Sequence, residues 1–574
     1  MTRWRVRDGV VPTLILLGAA WTLAALARAP DLPAVQAHAV RPAASAPVAD
    51  PQAGHAALLA RGQALFARQC VICHGERGDG GGAFAYLMNP RPRNFLRGKF
   101  KLTTTQNQVP SDDDLMRTLV RGMPGSAMPP WGHLPIADLR ALVAHIRALR
   151  RAAVQAELAQ GVKEGTFAES EVASELARRT TPGAAIAVPP EPRFDDLRWF
   201  NGRRVYLEAC AACHGEDGQP NPANVKFDDD GYPDPPRSFV NGIFKGSMDG
   251  AELYCRIFKG MAGTPMPAFE GAYSPDETWD LIHYVQSLAR AGSQDRAQMR
   301  QGTLVAARSA AALPDGPADA AWSQARPLYV ALTPLWWCAE RIEGLVVQAL
   351  HDGKSLALRL TWIDPTQDDR AVRVDEFRDA VAIQFSLSSD PPFYMGDRSD
   401  HGGVNIWMWK ADRQRNLAGG YQDVDAAFPQ MAVDLYPECP IRSKDMSQVD
   451  WPHGRLTEHV RDFITAWGAG NLVADPTLTT PVECLVARGP GTLSGRPAQL
   501  QSVAGQAVYE RGTWSVQVQR SLELPGEHAA SGAADERLFR SGDYLPVSFA
   551  IWNGSAGDRD GKKNISIWQK LVIE

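Results

Sequence analysis

The sequence Cys-x-x-Cys-His occurs twice, at Cys70-Val71-Ile72-Cys73-His74 and at Cys210-Ala211-Ala212-Cys213-His214. Two thiols held two residues apart can both add to the vinyl groups of one haem. The following His then lies under the iron, so the spacing reads as c-type haem attachment. A redox dithiol or half of a zinc site would also use Cys-x-x-Cys. Those readings do not account for a second shared feature, Gly-x-x-Met-Pro, which follows each motif at similar distance: Gly125 to Pro129 and Gly263 to Pro267. A chain so marked must fold at least two segments around a cofactor, and it is expected to carry electrons.

The two segments are an internal repeat. Leu115 to Met128 aligns without gaps on Leu253 to Met266, and Pro92-Arg93-Asn94-Phe95 matches Pro236-Arg237-Ser238-Phe239. Each copy closes in a helix-periodic run, Leu139, Leu142, Ile146 and Leu149 in the first, Trp279, Ile282, Val285 and Leu288 in the second. The order of helix, Cys-x-x-Cys-His loop, long loop and helix predicts a small all-α domain. It resembles the class I cytochrome c fold.

His74 and His214 are the expected proximal iron ligands. A Met thioether is a weak, soft donor that raises the potential, and Met128 and Met266 are the expected distal ligands, stiffened by the Pro that follows each. Met123 and Met261 are their rivals, more in keeping with packing residues at a helix end. Arg93 and Arg237 are expected to hydrogen-bond haem propionates, because a guanidinium fork suits a carboxylate. The acidic runs Asp112–Asp114 and Asp228–Asp230 could be calcium ligands, but such runs are usually solvated loops and no role is assigned to them.

With 574 residues the chain exceeds one core. The expected divisions are a membrane anchor or signal peptide at 1–27, an Ala/Pro-rich tether at 28–55, cytochrome c domains at 56–150 and 195–290, a helical and Pro-rich linker at 151–194, a second linker at 291–320, and a β domain at 321–574. Arg3, Arg5 and Arg7 precede an uncharged stretch over residues 9–27. A cleaved leader usually has an apolar core of only ~7–15 residues, whereas a spanning helix needs about 20. The length favours an uncleaved anchor with its basic end in the cytoplasm. Cleavage after Ala37-His38-Ala39 is the alternative. Either places the bulk of the protein in the periplasm. The net charge of -5 gives no ground for nucleic-acid binding. Of the eight cysteines, Cys255, Cys338, Cys439 and Cys484 lie outside the motifs; Cys439 and Cys484 could pair, or all four could be buried thiols.

Beyond residue 321, short strand-like runs bounded by Asp, Gly or Pro suggest an antiparallel β-sandwich. Phe377 to Phe385, Pro391 to Gly396, Val404 to Ala411, Phe549 to Gly554 and Gly561 to Trp568 resemble the haem b-binding gamma subunit of ethylbenzene dehydrogenase and its relatives, which serve molybdenum enzymes of the dimethyl sulfoxide reductase family. The resemblance implies one non-covalent haem b between Met395 and Lys563, with Lys562 as the rival lysine. An amine binds iron only when deprotonated, so a Lys ligand needs its usual pKa of ~10.4 overcome by burial and the metal. His351, His401, His453 and His459 are alternative ligands. A large insertion, about residues 412–505, separates the motifs and leaves the pocket's outer wall open.

The resulting expectation is a membrane-tethered electron-transfer subunit with two haems c and one haem b, and not a catalyst by itself. It would link the iron-sulfur and molybdopterin subunits of such an enzyme to a cytochrome c or terminal oxidase. The alternatives are a dihaem cytochrome with a non-haem β docking domain, and a haem enzyme such as a peroxidase or thiosulfate dehydrogenase.

Overall fold

The computed structural model describes residues 51–574 apart from 222, 339–340, 390, 392–394, 397–401, 420–429, 431–448, 451–454, 457–478, 490, 498–499 and 524–538. The expected anchor or leader, Cys439, His401, His453 and His459 lie outside the described residues. Among the described residues no helix is long and apolar enough to cross a membrane.

In the first repeat, α1 (Pro51–Gln69) leads into the one-turn α2 (Val71–His74), then α3 (Asp112–Arg121) and α4 (Ile136–Lys163). α3 starts where it does because Ser111 and Asp114 form a capping box, and three acidic residues in its first turn favour the positive end of the helix dipole. The acidic run expected to be a solvated loop is therefore a helix start. In the second repeat, α6 (Asp196–Ala209) follows α5 (Val172–Thr180) of the linker and precedes α7 (Ala211–His214), α8 (Gly250–Lys259) and α9 (Pro275–Ser287). Ser274 and Glu277 box the start of α9, with Pro275 at its first position.

Both repeats cross their first and last helices at a glycine. A Cβ on Gly62 would lie 2.1 Å from the Ala141 carbonyl oxygen, and one on Gly202 would lie 2.0 Å from that of Asp280. The close crossing lets Phe66 join Leu142 and Ile146 in one core and Val205 and Tyr206 join Ile282 in the other. The linker between the repeats is fastened to both. The Ile186 amide donates to the Thr104 carbonyl at 2.8 Å, and Trp279 Nε1 donates to the Pro189 carbonyl at 3.2 Å.

Among the described residues the β domain has a fourteen-stranded sheet and a separate two-stranded one, Val449–Asp450 paired with Arg455–Leu456; the larger sheet carries the site. Its strands are β1 (Thr303–Arg308), β2 (Leu328–Ala331), β3 (Thr333–Pro334), β4 (Gly344–His351), β5 (Ser355–Ile363), β6 (Ala380–Ser386), β7 (Val404–Lys410), β8 (Val482–Ala487), β9 (Ser494–Gly495), β10 (Ala504–Glu510), β11 (Thr513–Ser521), β12 (Tyr544–Trp552), β13 (Asn564–Ile565) and β14 (Gln569–Ile573). The order is β9-β8-β7-β6-β12-β14-β1-β4-β5-β11-β10, with β2 on β4, β13 on β12 and β3 on β13. The sheet folds over so that Trp407 and Trp409 of β7 share a core with Trp362 of β5 and Trp514 of β11. The Trp409 and Trp514 ring centroids are 5.0 Å apart.

The sheet is mixed, which corrects the expected antiparallel sandwich. β1 runs parallel to both of its neighbours, β14 and β4. The reason is β1 itself, which lies inside the segment expected to be a linker, 291–320. A strand that enters before the rest of the domain and seats between two later ones takes the direction its slot allows.

Strands β6, β7 and β12 are apolar on both faces. Val381, Ile383, Trp407, Trp409, Phe549 and Ile551 point into the core. Ala380, Ala382, Ile406, Met408, Ala550 and Trp552 form a second apolar layer on the other side. A strand buried on both faces loses its alternation of apolar and polar residues, and the second face is where the first repeat docks.

Candidate haem sites

The first motif sits on α2, the turn that α1 leads into. His74 Nδ1 lies 2.9 Å from the Arg93 carbonyl oxygen, and its ring stacks on Phe95 with centroids 4.6 Å apart. A carbonyl only accepts, so Nδ1 carries the proton and Nε2 keeps its lone pair for a metal. The second motif repeats this: His214 Nδ1 is 3.1 Å from the Arg237 carbonyl, and the ring stacks on Phe239 at 4.4 Å. Burial lowers His74 to about 4 and lowers His214 as well, favouring the neutral ligand form.

Burial also pushes the thiols of Cys70, Cys73 and Cys210 up to about 12. A working redox dithiol needs the opposite shift. Among the described residues no three His, Cys, Asp or Glu side chains come together as a metal site would require. Both observations weigh against the dithiol and zinc readings.

The Met loops match in detail. Ser126 Oγ donates to the Met123 carbonyl at 2.7 Å and accepts from the Met128 amide at 3.4 Å; Thr264 Oγ1 does the same for Met261 and Met266 at 2.8 and 3.2 Å. The first cavity is lined by Cys70, Cys73, His74, Arg93 and Met128, and by Met123 as well. Met261 is buried in the second repeat.

The third site is a cavity of about 590 Å³ on the outer face of β6, β7 and β12. That size falls in the range of ~300–1,000 Å³ common for cofactor pockets. Ala380, Ala382 and Ala550 keep its floor shallow, so a flat group can lie on the sheet. The structure brings Met395 and Lys563 together there: Lys563 Nζ is 3.8 Å from Met395 Sδ and 4.9 Å from the Trp552 ring centroid. Burial lowers the Lys563 ammonium to about 8, which eases loss of its proton. Lys562 is engaged elsewhere and donates to the Ala556 carbonyl. His351 is buried at the end of β4 and does not line the cavity.

Four residues of this site were not anticipated. Arg378 and Lys410 stand at its polar end, paired with Asp412 at 3.1 Å and with buried Glu483. Lys410 had a signal, since it continues the outward stripe of Ile406 and Met408 with a charge. Phe84 and Met88 had none, because they come from the first repeat. That repeat supplies part of the outer wall which the insertion at 412–505 left open, and Gly491 and Leu493 of the insertion line the cavity as well. The repeat docks through the Asn89 amide to the Leu335 carbonyl at 3.0 Å, the Trp337 amide to the Asn89 carbonyl at 2.7 Å, and Thr333 Oγ1 to the Ser126 carbonyl at 3.0 Å.

Two cavities thereby share one side chain. Met88, 3% exposed, lines both the first motif's cavity and the β-domain cavity. Cys73, Met88, Leu335 and Ile565 form one buried cluster on which Met395 packs. The second motif differs in exposure: α2 buries Cys73 and His74, whereas no residue of α7 is buried. The two repeats meet through Lys101 on Asp234, which also holds Lys245 of its own repeat, Arg121 on Glu252, Arg97 on Asp230 and Lys99 on Asp229. Asp229 and Asp230, expected to be merely solvated, are interface anions.

Comparison with known families divides the chain in the same way. The family described as Ethylbenzene dehydrogenase matches residues 319–564, Cytochrome C oxidase, cbb3-type, subunit III matches 57–146, and Cytochrome c matches 200–289. The dimethylsulfide dehydrogenase subunit gamma of Rhodovulum sulfidophilum is 28% identical over 39% of this chain and 58% of that protein. The chlorate reductase subunit gamma of Ideonella dechloratans is 22% identical over 44% of this chain and 77% of that protein. The chain thus spans little more than half of the first relative. Of solved structures, the Kuenenia stuttgartiensis reducing HAO-like protein complex Kustc0457/Kustc0458 contains a chain 32% identical, with a TM-score of 0.34, over 40% of this chain and 96% of that one.

Proposed function

Because the chain carries two cytochrome c domains in front of a domain of the ethylbenzene dehydrogenase family, we propose that it is an electron-transfer subunit with three haems in series: haem b in the β domain, the haem c of the first motif, then the haem c of the second. The observation that carries this order is Met88, which lines both of the first two cavities. The second motif is less buried than the first, which supports the other end of the series, where a haem edge would meet an outside partner.

Cys70, Cys73 and His74 would hold the first haem c with Met128, and Cys210, Cys213 and His214 the second with Met266. Met395 and Lys563 would ligate haem b, and Arg378 and Lys410 would face its propionates. The haems supply reversible one-electron storage at iron. The chain supplies their spacing, a buried apolar cluster between the first two cavities, and the donors that would set their potentials. With Met128 and Met266 as further ligands, neither c-type haem would keep an open coordination position, which favours a carrier over a peroxidase-like enzyme. Covalent fusion replaces diffusion between carriers by a fixed high effective concentration.

The partners in this reading are the iron-sulfur and molybdopterin subunits of a dimethyl sulfoxide reductase family enzyme on the haem b side, and a cytochrome c or terminal oxidase beyond the second haem c. The N-terminal segment would tether the chain to the cell membrane with its bulk in the periplasm.

Pyridine haemochrome spectra before and after acid-acetone extraction test the reading. It expects two covalent haems c and one extractable haem b per chain. Two haems c with nothing extractable, in haem-replete cells, would leave a dihaem cytochrome with a β docking domain.

A further inference from the structure

The repeat places Lys101 and Lys245 at the same distance after Arg93 and Arg237. All four cations, two from each domain, line the cavity of the first motif. One buried carboxylate stands among them: Asp234, 4% exposed, accepts from Lys101 Nζ at 3.0 Å and from Lys245 Nζ at 2.7 Å. Asp228 and Asp229 act on Arg93 from an exposed loop. Arg341 of the β domain adds a further positive charge near Arg237. Arg237 is itself 5% exposed, stacked at 3.7 Å on the Trp337 ring, and none of its three guanidinium nitrogens has a hydrogen-bond partner.

A buried cation with every donor unused is strongly unfavourable unless an anion completes the site. The cavity it faces is the one that takes a haem, and a haem brings two propionate carboxylates. The arginines cross over. Nη1 of Arg237 comes within 3.4 Å of a Cβ built on Gly125, beside the first domain's Met128 loop; Nη1 of Arg93 comes within 3.3 Å of one built on Gly263, beside the second domain's Met266 loop.

We propose that the first haem c is held across the domain interface: Arg237 and Lys245 of the second domain bind its propionates, so its potential is set by residues of its neighbour. The proposal rests on the reading that both motifs carry haem c. It makes the two cytochrome domains one redox unit. A lone second domain would leave Arg237 without Trp337 over it, and a lone first domain would keep Arg93 and Lys101 but lack Arg237 and Lys245. A nearby positive charge disfavours the ferric state, so removing it lowers the potential of the haem it serves.

The test is a spectroelectrochemical titration of the full haem-loaded chain and of Arg237→Gln, Lys245→Met and Arg237→Lys. A Met266→His variant, which lowers the second haem alone by replacing its thioether, assigns the two c-type waves. Arg237→Gln and Lys245→Met are expected to lower the first domain's haem by on the order of tenfold in its reduction equilibrium, about 59 mV for one electron, with Arg237→Lys restoring most of it. A shift confined to the second domain's haem, or no shift in either while both stay covalently attached, would overturn the proposal. Fewer than two covalent haems in the unaltered chain would instead overturn the haem c reading beneath it.

Discussion

A single buried carboxylate can fasten two domains. Burial alone would raise Asp234, but Lys245 and Lys101 together outweigh it and hold the carboxyl at about 2. An unfolded Asp titrates near ~3.9. The folded value is the lower one, so the stabilisation is complete above about pH 4 and is lost as pH falls through about 2. Thermal unfolding of the whole chain against pH should show this loss, and Asp234→Asn should remove it. At neutral pH that variant is expected to cost about 3–5 kcal/mol, because two buried ammonium groups lose their anion. The β-domain cavity gives a second prediction. Ala382→Leu puts a branched side chain on its floor and should exclude haem b, with covalent haem content unchanged; an undiminished extractable haem would contradict the assigned slot. At this scale the sequence showed what covalent chemistry marks. The Cys and His positions stand in a fixed motif, and Met128 and Met266 follow at similar distances in a shared Gly-x-x-Met-Pro. Met395 and Lys563 needed a family resemblance, since they lie far apart in the chain and meet only through the sheet. Arg237 was expected near a propionate, but not at the other domain's cavity, because an interface leaves no spacing to read.

Among the elements, the helix crossings carry the clearest consequence. Ala normally gains roughly 1 kcal/mol over Gly inside a helix. Gly202→Ala should instead destabilise the second cytochrome domain by about 1–3 kcal/mol, through forced displacement of α6 from α9. Denaturant unfolding followed at the second haem measures it, and a gain in stability would contradict the contact with the Asp280 carbonyl. The closing helices were legible from their apolar period, whereas the start of α3 was read as a solvated loop although Ser111 and Asp114 box it. β1 was not legible. Its six residues lie inside an Ala-, Gly- and Asp-rich stretch, and their partners, β4 and the last strand of the chain, give no local cue. The parallel pairing followed from that one strand. β6, β7 and β12 were recognised as strands, but the purpose of their second apolar face became clear only with the first repeat lying against it.

In the whole molecule the first cytochrome domain is the centre. It closes the β-domain cavity with Phe84 and Met88, and it shares Asp234 and its cationic cluster with the second domain. The haem of the first motif would therefore sit between the other two. This follows from which side chains line which cavity, whereas the linear order of the chain would put the second motif in the middle. The most direct test is an iron anomalous-difference map from crystals of the haem-loaded chain. Three iron peaks are predicted, with the first motif's iron between the β-domain iron near Met395 and Lys563 and the second motif's iron, and the outer pair farthest apart. A map without the β-domain iron, or one that places it nearer the second motif than the first, would contradict the series.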